Sequence, residues 1–282
     1  MRHYLRRRMT VMKEKRDNYQ NILLLGCDVA PDVENPTEEE KCMRSDVMLV
    51  VSLNRSTGRA KLLILIRDAW VNLPGVGKGK LNEAVVYGGP ELAVKMVNDL
   101  YNLNIRKYIM ISMGDMVDLI DSLEGIDLYL SDEEAAFVNF GIPAAKSDIK
   151  RDYDVVPLET GGLCHMCGLQ AVEHMRNRFF GSREKRVHDV LKSLLYKVKN
   201  EYNFLGMTVI AIRALKYVKT NIGIPEILRL LPFCRKIKLR EVEPYLVPEE
   251  GTYEVKRDGI WRMEVDFAKA AEKMWDFLSS DE

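Results

Sequence analysis

Three short apolar runs, Ile22 to Leu25, Val47 to Leu53 and Lys61 to Ile66, each meet charged residues at one particular end. Their length and branched side chains predict strands, and the turn Asn54-Arg55-Ser56-Thr57-Gly58 makes the second and third a hairpin. One more reversal, across residues 29–43, sets the first run antiparallel to the second. Asp28 follows the first run, Arg44 and Asp46 enter the second, and Arg67 and Asp68 leave the third, so all five share one sheet edge. Carboxylates and arginines gathered at one edge suggest a metal-assisted phosphate site, because a phosphate needs cation-holding oxygens and guanidinium donors together.

Beyond the third strand, Pro74 to Lys80 is rich in glycine. It lacks the preceding strand and following Ser/Thr of a P-loop and reads as a flexible surface loop. A helix follows with Pro90 and Glu91 in its first turn and Leu92, Met96, Val97 and Leu100 on one face, more simply core than ligand wall. Tyr108 to Met113 predicts a strand, Asp115 to Leu123 a helix, and Ile126 to Leu130 a strand. This alternation predicts the α/β class. Residues 131–163 read as an irregular excursion. Gly168 to Arg178 then reads as a helix, and Ser182 caps another whose Val187, Val190, Leu191, Leu194 and Val198 make one apolar face. Phe204 to Tyr217 and Pro225 to Leu231 predict helices, Lys236 to Tyr245 and Thr252 to Val255 strands, and a last helix runs through Phe277.

Charge refines this picture. The chain has 42 Lys and Arg against 42 Asp and Glu, so no long-range field attracts nucleic acid or an acidic membrane, and an anion site must be local. Residues 1–20 form a basic segment without an apolar span, so either the protein is cytosolic or an anchor that this segment adjoins has been removed, and 21–282 read as a single domain. Five cysteines do not settle the redox compartment. Cys164-His165-Met166-Cys167 is half of a zinc pattern without its second half, and reads as two thiols or a local disulfide.

Arg183 and Arg186 fall in the first turn of the helix capped by Ser182, where the macrodipole is already positive. With Arg176 and Arg178 just upstream they predict a guanidinium cradle for an anion, the alternative being a solvated basic turn.

Taken in order, Asn21 to Asp28, Arg44 to Met48, Ile66-Arg67-Asp68, Lys80-Leu81-Asn82-Glu83-Ala84, Tyr87-Gly88-Gly89-Pro90, Asp118 to Asp121 and Gly168 to Val172 with the arginines after it resemble the LytR-CpsA-Psr family of cell-wall glycopolymer transferases. Lys219 to Ile222 and Pro248 to Tyr253 extend the resemblance. It implies an α/β/α sandwich with a central mixed sheet flanked by helices, on the extracytoplasmic face of the membrane and normally tethered by an N-terminal helix. Such a protein moves a glycopolymer, such as a teichoic acid, from a polyprenyl diphosphate carrier to peptidoglycan. By the resemblance Asp28 and Asp46 are associated with magnesium, and Arg44, Arg67, Arg176, Arg178 and Arg183 bind the diphosphate, with Arg186 added from the helix turn. The chain departs from the pattern at Val187, where relatives usually carry Gln. The expected chemistry is attack by a peptidoglycan hydroxyl on the anomeric carbon of the glycopolymer, with Arg67 and Arg183 stabilising departing charge and Asp68 acting as base or orienting Arg67. A polyprenyl diphosphate hydrolase and a non-catalytic regulator are the alternatives.

Overall fold

The computed structural model describes residues 16–27, 44–149, 153–177, 179, 182–237, 242, 244–257 and 261–280. In chain order the elements are β1 (Tyr19–Cys27), β2 (Ser45–Asn54), β3 (Ala60–Leu65), β4 (Trp70–Leu73), β5 (Gly77–Lys80), α1 (Ala84–Tyr101), β6 (Lys107–Ser112), α2 (Met113–Asp121), β7 (Ile126–Leu130) and α3 (Asp132–Ile149). They continue as β8 (Gly162–Met166), α4 (Gly168–Arg176), α5 (Arg183–Glu201), α6 (Phe204–Ala214), β9 (Lys219–Thr220), α7 (Ile224–Lys236), β10 (Pro244–Val247), β11 (Tyr253–Lys256), β12 (Arg262–Val265) and α8 (Phe267–Ser279).

One mixed sheet of six strands, in the order β10-β3-β2-β1-β6-β9, runs through the middle. The pairs β1–β2 and β2–β3 are antiparallel, as the hydrophobic pattern predicts, while β1–β6 and β10–β3 are parallel. Strand alternation divides the side chains between two layers. Leu23, Leu25, Met48, Val50, Leu63 and Met110 point to a core completed by α1 and α8, with Met96, Val97, Met274 and Trp275. The intervening residues Ile22, Leu24, Leu49 and Ile109 meet the opposite layer of α5, α6 and α7. The central strands therefore read as near-continuous apolar runs.

α1 is two helices joined at Gly88-Gly89. Gly89, at φ 65° and ψ −169°, adopts a conformation closed to side chains, and Pro90 restarts the helix as its position in the sequence predicts. α8 clasps the start of the sheet: Leu278 O accepts from the Tyr19 hydroxyl at 2.9 Å, and Lys61 Nζ donates to the Ser280 hydroxyl at 2.9 Å.

Three expectations are corrected. The glycine-rich stretch is not a loose loop, since Gly77 to Lys80 pairs with Trp70 to Leu73 as a hairpin. Part of the 131–163 excursion is the eighteen-residue helix α3, and at its Gly141 a Cβ would make the Glu173 side chain shift. Lys236 ends a helix, and the strand expected from it begins only at Pro244. Cys164, in β8, donates to the Thr160 carbonyl at 3.3 Å, and both it and Cys167 are free thiols.

Candidate active site

The antiparallel register of β2 and β3 sets Leu49 opposite Ile64. Carried three residues further, it places Asp46 across from Arg67, and the two side chains form an ion pair. The backbone beyond β3 is pinned on both sides. Ile66 N donates to Val247 O at 2.7 Å, and Asn82 N donates to Arg67 O at 3.1 Å. Arg67 thus leaves its strand in a fixed direction.

The second guanidinium comes from the opposite layer. Ser182 accepts a hydrogen bond from Lys185 N and caps α5, so Arg183 occupies its first helical position. From there Nη1 of Arg183 donates to Asp46 Oδ2 at 3.2 Å, across 137 residues of sequence. One carboxylate therefore bridges two arginines, all three side chains being about a fifth to a quarter exposed (20%, 26% and 19% for Asp46, Arg67 and Arg183). The Nε of Arg183 is buried and has no hydrogen-bond partner among the described residues. A donor in that condition costs about 1–3 kcal/mol until something accepts from it.

Asp68 stands one residue beyond Arg67. Its Oδ2 lies 3.5 Å from Arg67 Nε and its Oδ1 accepts from Lys80 Nζ at 2.7 Å. Both of its oxygens thus face cations. Lys80 also lies 5.0 Å from the centroid of the Trp261 ring. The glycines around Lys80 read as a loose loop in the sequence, whereas Lys80 itself opens the quoted Lys80-Leu81-Asn82-Glu83-Ala84 resemblance, which is the signal that marks it.

Beside this cluster an apolar cavity of about 260 Å³ opens between the sheet and α2, α4 and α5. Leu24, Leu49, Ile111, Met116, Met175 and Leu191 are among its walls, and Asp46, Arg176 and Arg183 are its charged residues. Asp46 and Arg183 stand at the end where Cys27 pairs with Ser45. The cavity is on the far side of the sheet from Met96, which is core together with the adjoining Leu92 and Leu100. Val187, the departure from the family pattern, is part of the cavity wall.

The other expected arginines are placed differently. Arg176 lines the cavity and is held by Asp148 at 2.5 Å and Glu173 at 3.6 Å. Burial pushes the Glu173 carboxyl above the usual range, with Arg176 partly opposing it. Arg44 is half exposed and pairs with Glu83 at 3.0 Å. The expectation for Arg186 is corrected: it is 4% exposed and donates to the Asn177 carbonyl, so it braces the start of α5 rather than presenting a fork at the cavity. Asp28 and Arg178 lie outside the described residues.

The site thus combines Arg67, Arg183 and Lys80 around two carboxylates, a local excess of positive charge, with an adjoining apolar chamber. That pairing suits an anionic head carrying a long apolar tail. Asp46 offers hard oxygen donors, and no cluster of three or more His, Cys, Asp or Glu fit for a metal occurs among the described residues. Hard carboxylate oxygens of this kind are what magnesium takes alongside substrate phosphates.

The LytR_cpsA_psr family profile matches residues 3–279. A relative named polyisoprenyl-teichoic acid–peptidoglycan teichoic acid transferase TagT, from Bacillus subtilis, is 26% identical over 221 residues, which are 77% of this chain and 65% of that protein. The chain thus spans just under two thirds of that relative. Among solved structures, B. subtilis TagV superposes with a TM-score of 0.70 at 24% identity, covering 93% of this chain and 96% of that one. The LytR-CPS2A-psr family protein YwtF (TagT) with bound octaprenyl pyrophosphate lipid superposes with a TM-score of 0.65 at 23% identity, covering 95% and 91%. These likenesses show the α/β/α fold with its central mixed sheet.

Proposed function

The chain belongs to the LytR-CpsA-Psr family, and from that premise we propose that it transfers a glycopolymer from a polyprenyl diphosphate carrier to peptidoglycan. The observation that carries this reading is the apolar cavity ending at Asp46 and Arg183, with Arg67 on the other oxygen of Asp46. The tail of the carrier occupies the cavity, and its diphosphate takes the guanidinium donors that now face Asp46. A relative's name as a polyisoprenyl-linked teichoic acid transferase supports the substrate class. The reading carries with it an extracytoplasmic location at the membrane, where such a carrier meets peptidoglycan.

Asp46, together with Asp28, would hold magnesium, which when bound neutralises charge on the diphosphate oxygens. The excess of positive charge bears on where the acceptor attacks. Guanidinium groups stabilise charge departing on the bridging oxygen whichever centre is attacked, but they oppose an oxocarbenium-like sugar, which needs a facing carboxylate. Both carboxylates of the described cluster are engaged by cations. We therefore favour phosphorus over the anomeric carbon. The acceptor oxygen bonds to the sugar-bearing phosphorus, the bridging P–O bond breaks, and polyprenyl monophosphate leaves with the electron pair. The hydroxyl proton passes to solvent, since a loose phosphoryl transition state asks little of a base, and Asp68 keeps its orienting role.

The test is incubation with an octaprenyl diphosphate-linked glycan and peptidoglycan fragments, followed by mass spectrometry of the lipid. Octaprenyl monophosphate formed only when acceptor is present is the expected product. Octaprenyl diphosphate would mean attack at carbon, and monophosphate without acceptor would mean a hydrolase.

A further inference from the structure

α6 carries no charged residue before Arg213, and its Thr208 hydroxyl returns to the Phe204 carbonyl at 2.9 Å. A helix apolar on all sides is ordinarily enclosed. Of α6 only Met207 is buried. Leu205 is 72% exposed, and Val209 and Ile212, one and two turns along the same side, are 39% and 37% exposed. The neighbouring α7 turns Ile227 and Leu231 inward against Met207, while Ile224 and Leu228 are each 46% exposed. The outer faces of both helices are thus aliphatic.

Positive charge borders this surface. Arg213 follows Ile212 and Arg229 follows Leu228, both arginines being exposed. From Phe204 to Lys236 the sequence carries Arg213, Lys216, Lys219, Arg229, Arg235 and Lys236 against Glu226 alone, in a chain of zero net charge. On the inner side, the cluster formed by α6 and α7 includes Leu24 and Ile109, which also line the cavity, as does Val218 just beyond α6. The exposed aliphatic surface and the cavity are therefore joined through one apolar layer.

We propose that the outer faces of α6 and α7 rest on an anionic lipid bilayer, with the arginines among the headgroups and an apolar route beneath the helices into the cavity. This deepens the polyprenyl reading of the site and rests on it. No helix among the described residues is long and apolar enough to cross a membrane, so the pair lies in the plane of the interface. A second copy of the chain is disfavoured as the occupant, because symmetric pairing would bring two basic rims together.

The test uses the whole chain with vesicles of phosphatidylcholine alone or mixed with equal phosphatidylglycerol, read by co-sedimentation. Wild type should bind the mixed vesicles, less at high salt. Leu205→Asp combined with Ile212→Asp should weaken binding at least about 10-fold, since two aliphatic side chains no longer insert. Arg213→Glu combined with Arg229→Glu should weaken binding to the anionic vesicles alone, and keeps the proposal testable if the aspartate pair does not fold. Equal binding by wild type and folded variants overturns the proposal. So does a wild-type dimer that the aspartates disperse without changing vesicle binding. Octaprenyl diphosphate binding in detergent separates the two readings: its retention alongside failed vesicle binding sinks only the docking face, and its absence in wild type sinks the functional reading.

Discussion

On the proposed reading Asp46 competes with the diphosphate for the same donors, and Asp46→Asn should expose that competition. In the ligand-free protein the carboxylate takes Arg67 on one oxygen and Arg183 on the other at 3.2 Å, with Asp46 20% exposed. Removing its charge leaves two guanidinium groups facing each other, so the free protein should lose about 1–2 kcal/mol, a charged hydrogen-bond value discounted for partial exposure. The same change removes a negative charge from beside the diphosphate. At an effective dielectric between those of water and a protein surface, that repulsion is about 1–3 kcal/mol at contact distances. Binding of inorganic pyrophosphate without magnesium should therefore tighten by about 5- to 150-fold in calorimetry. Transfer in the presence of magnesium should fall at least about 100-fold, because the metal loses a carboxylate. If Asp46→Asn weakens metal-free pyrophosphate binding, Asp46 is not the group that the diphosphate displaces, and the assignment of the head site fails.

Two other substitutions test the supports of the site. Arg186→Ala should destabilise the protein by about 2–3 kcal/mol in urea titration, because it unpairs the Asn177 carbonyl, yet leave pyrophosphate affinity within about twofold once the protein is folded. His174 is 4% exposed and burial holds its pKa below the usual 6.5, so the unfolded chain binds the extra proton first. Its stabilising contribution is complete above pH 6.5 and is lost as pH falls toward the folded value. His174→Gln should flatten that acid-side decline in thermal melting, and an unchanged slope would show that another group governs it.

Much of the frame was legible because it is local. Period-two patterning and one turn suffice to pair β2 with β3, and the register of that hairpin is what brings Asp46 to Arg67. The cap at Ser182 was equally readable, and it fixes the direction of Arg183. That Arg183 ends on Asp46 was not readable from pattern, since the contact closes 137 residues of chain and depends on how α5 crosses the sheet. The role of Arg186 escaped for a related reason: sequence marks it as basic and near a helix start, but only packing shows that its place in the turn is under Asn177. α3 was hidden by Gly141 and Pro143, residues that weaken a helix signal, although in the structure Gly141 leaves room for the Glu173 side chain. The hairpin that delivers Lys80 was masked by the glycines that let β5 turn back on β4.

The clasp between α8 and the first strands has a bearing on how this protein varies. Tyr19, Lys61 and the carbonyls and hydroxyl around Leu278 and Ser280 close the two described extremities of the chain over one face of the sheet. The helical walls of the chamber, α2, α4 and α5, come entirely from the interior of the sequence. Insertions, deletions or exchanges there, outside the first turn of α5 that holds Arg183 on Asp46, can widen, lengthen or narrow the bore while the clasped frame, with its Asp46 and Arg67, folds as before. On the proposed reading, carrier chain length and head chemistry are thereby separable traits as long as Arg183 keeps its place, and selection can tune the one without reopening the other.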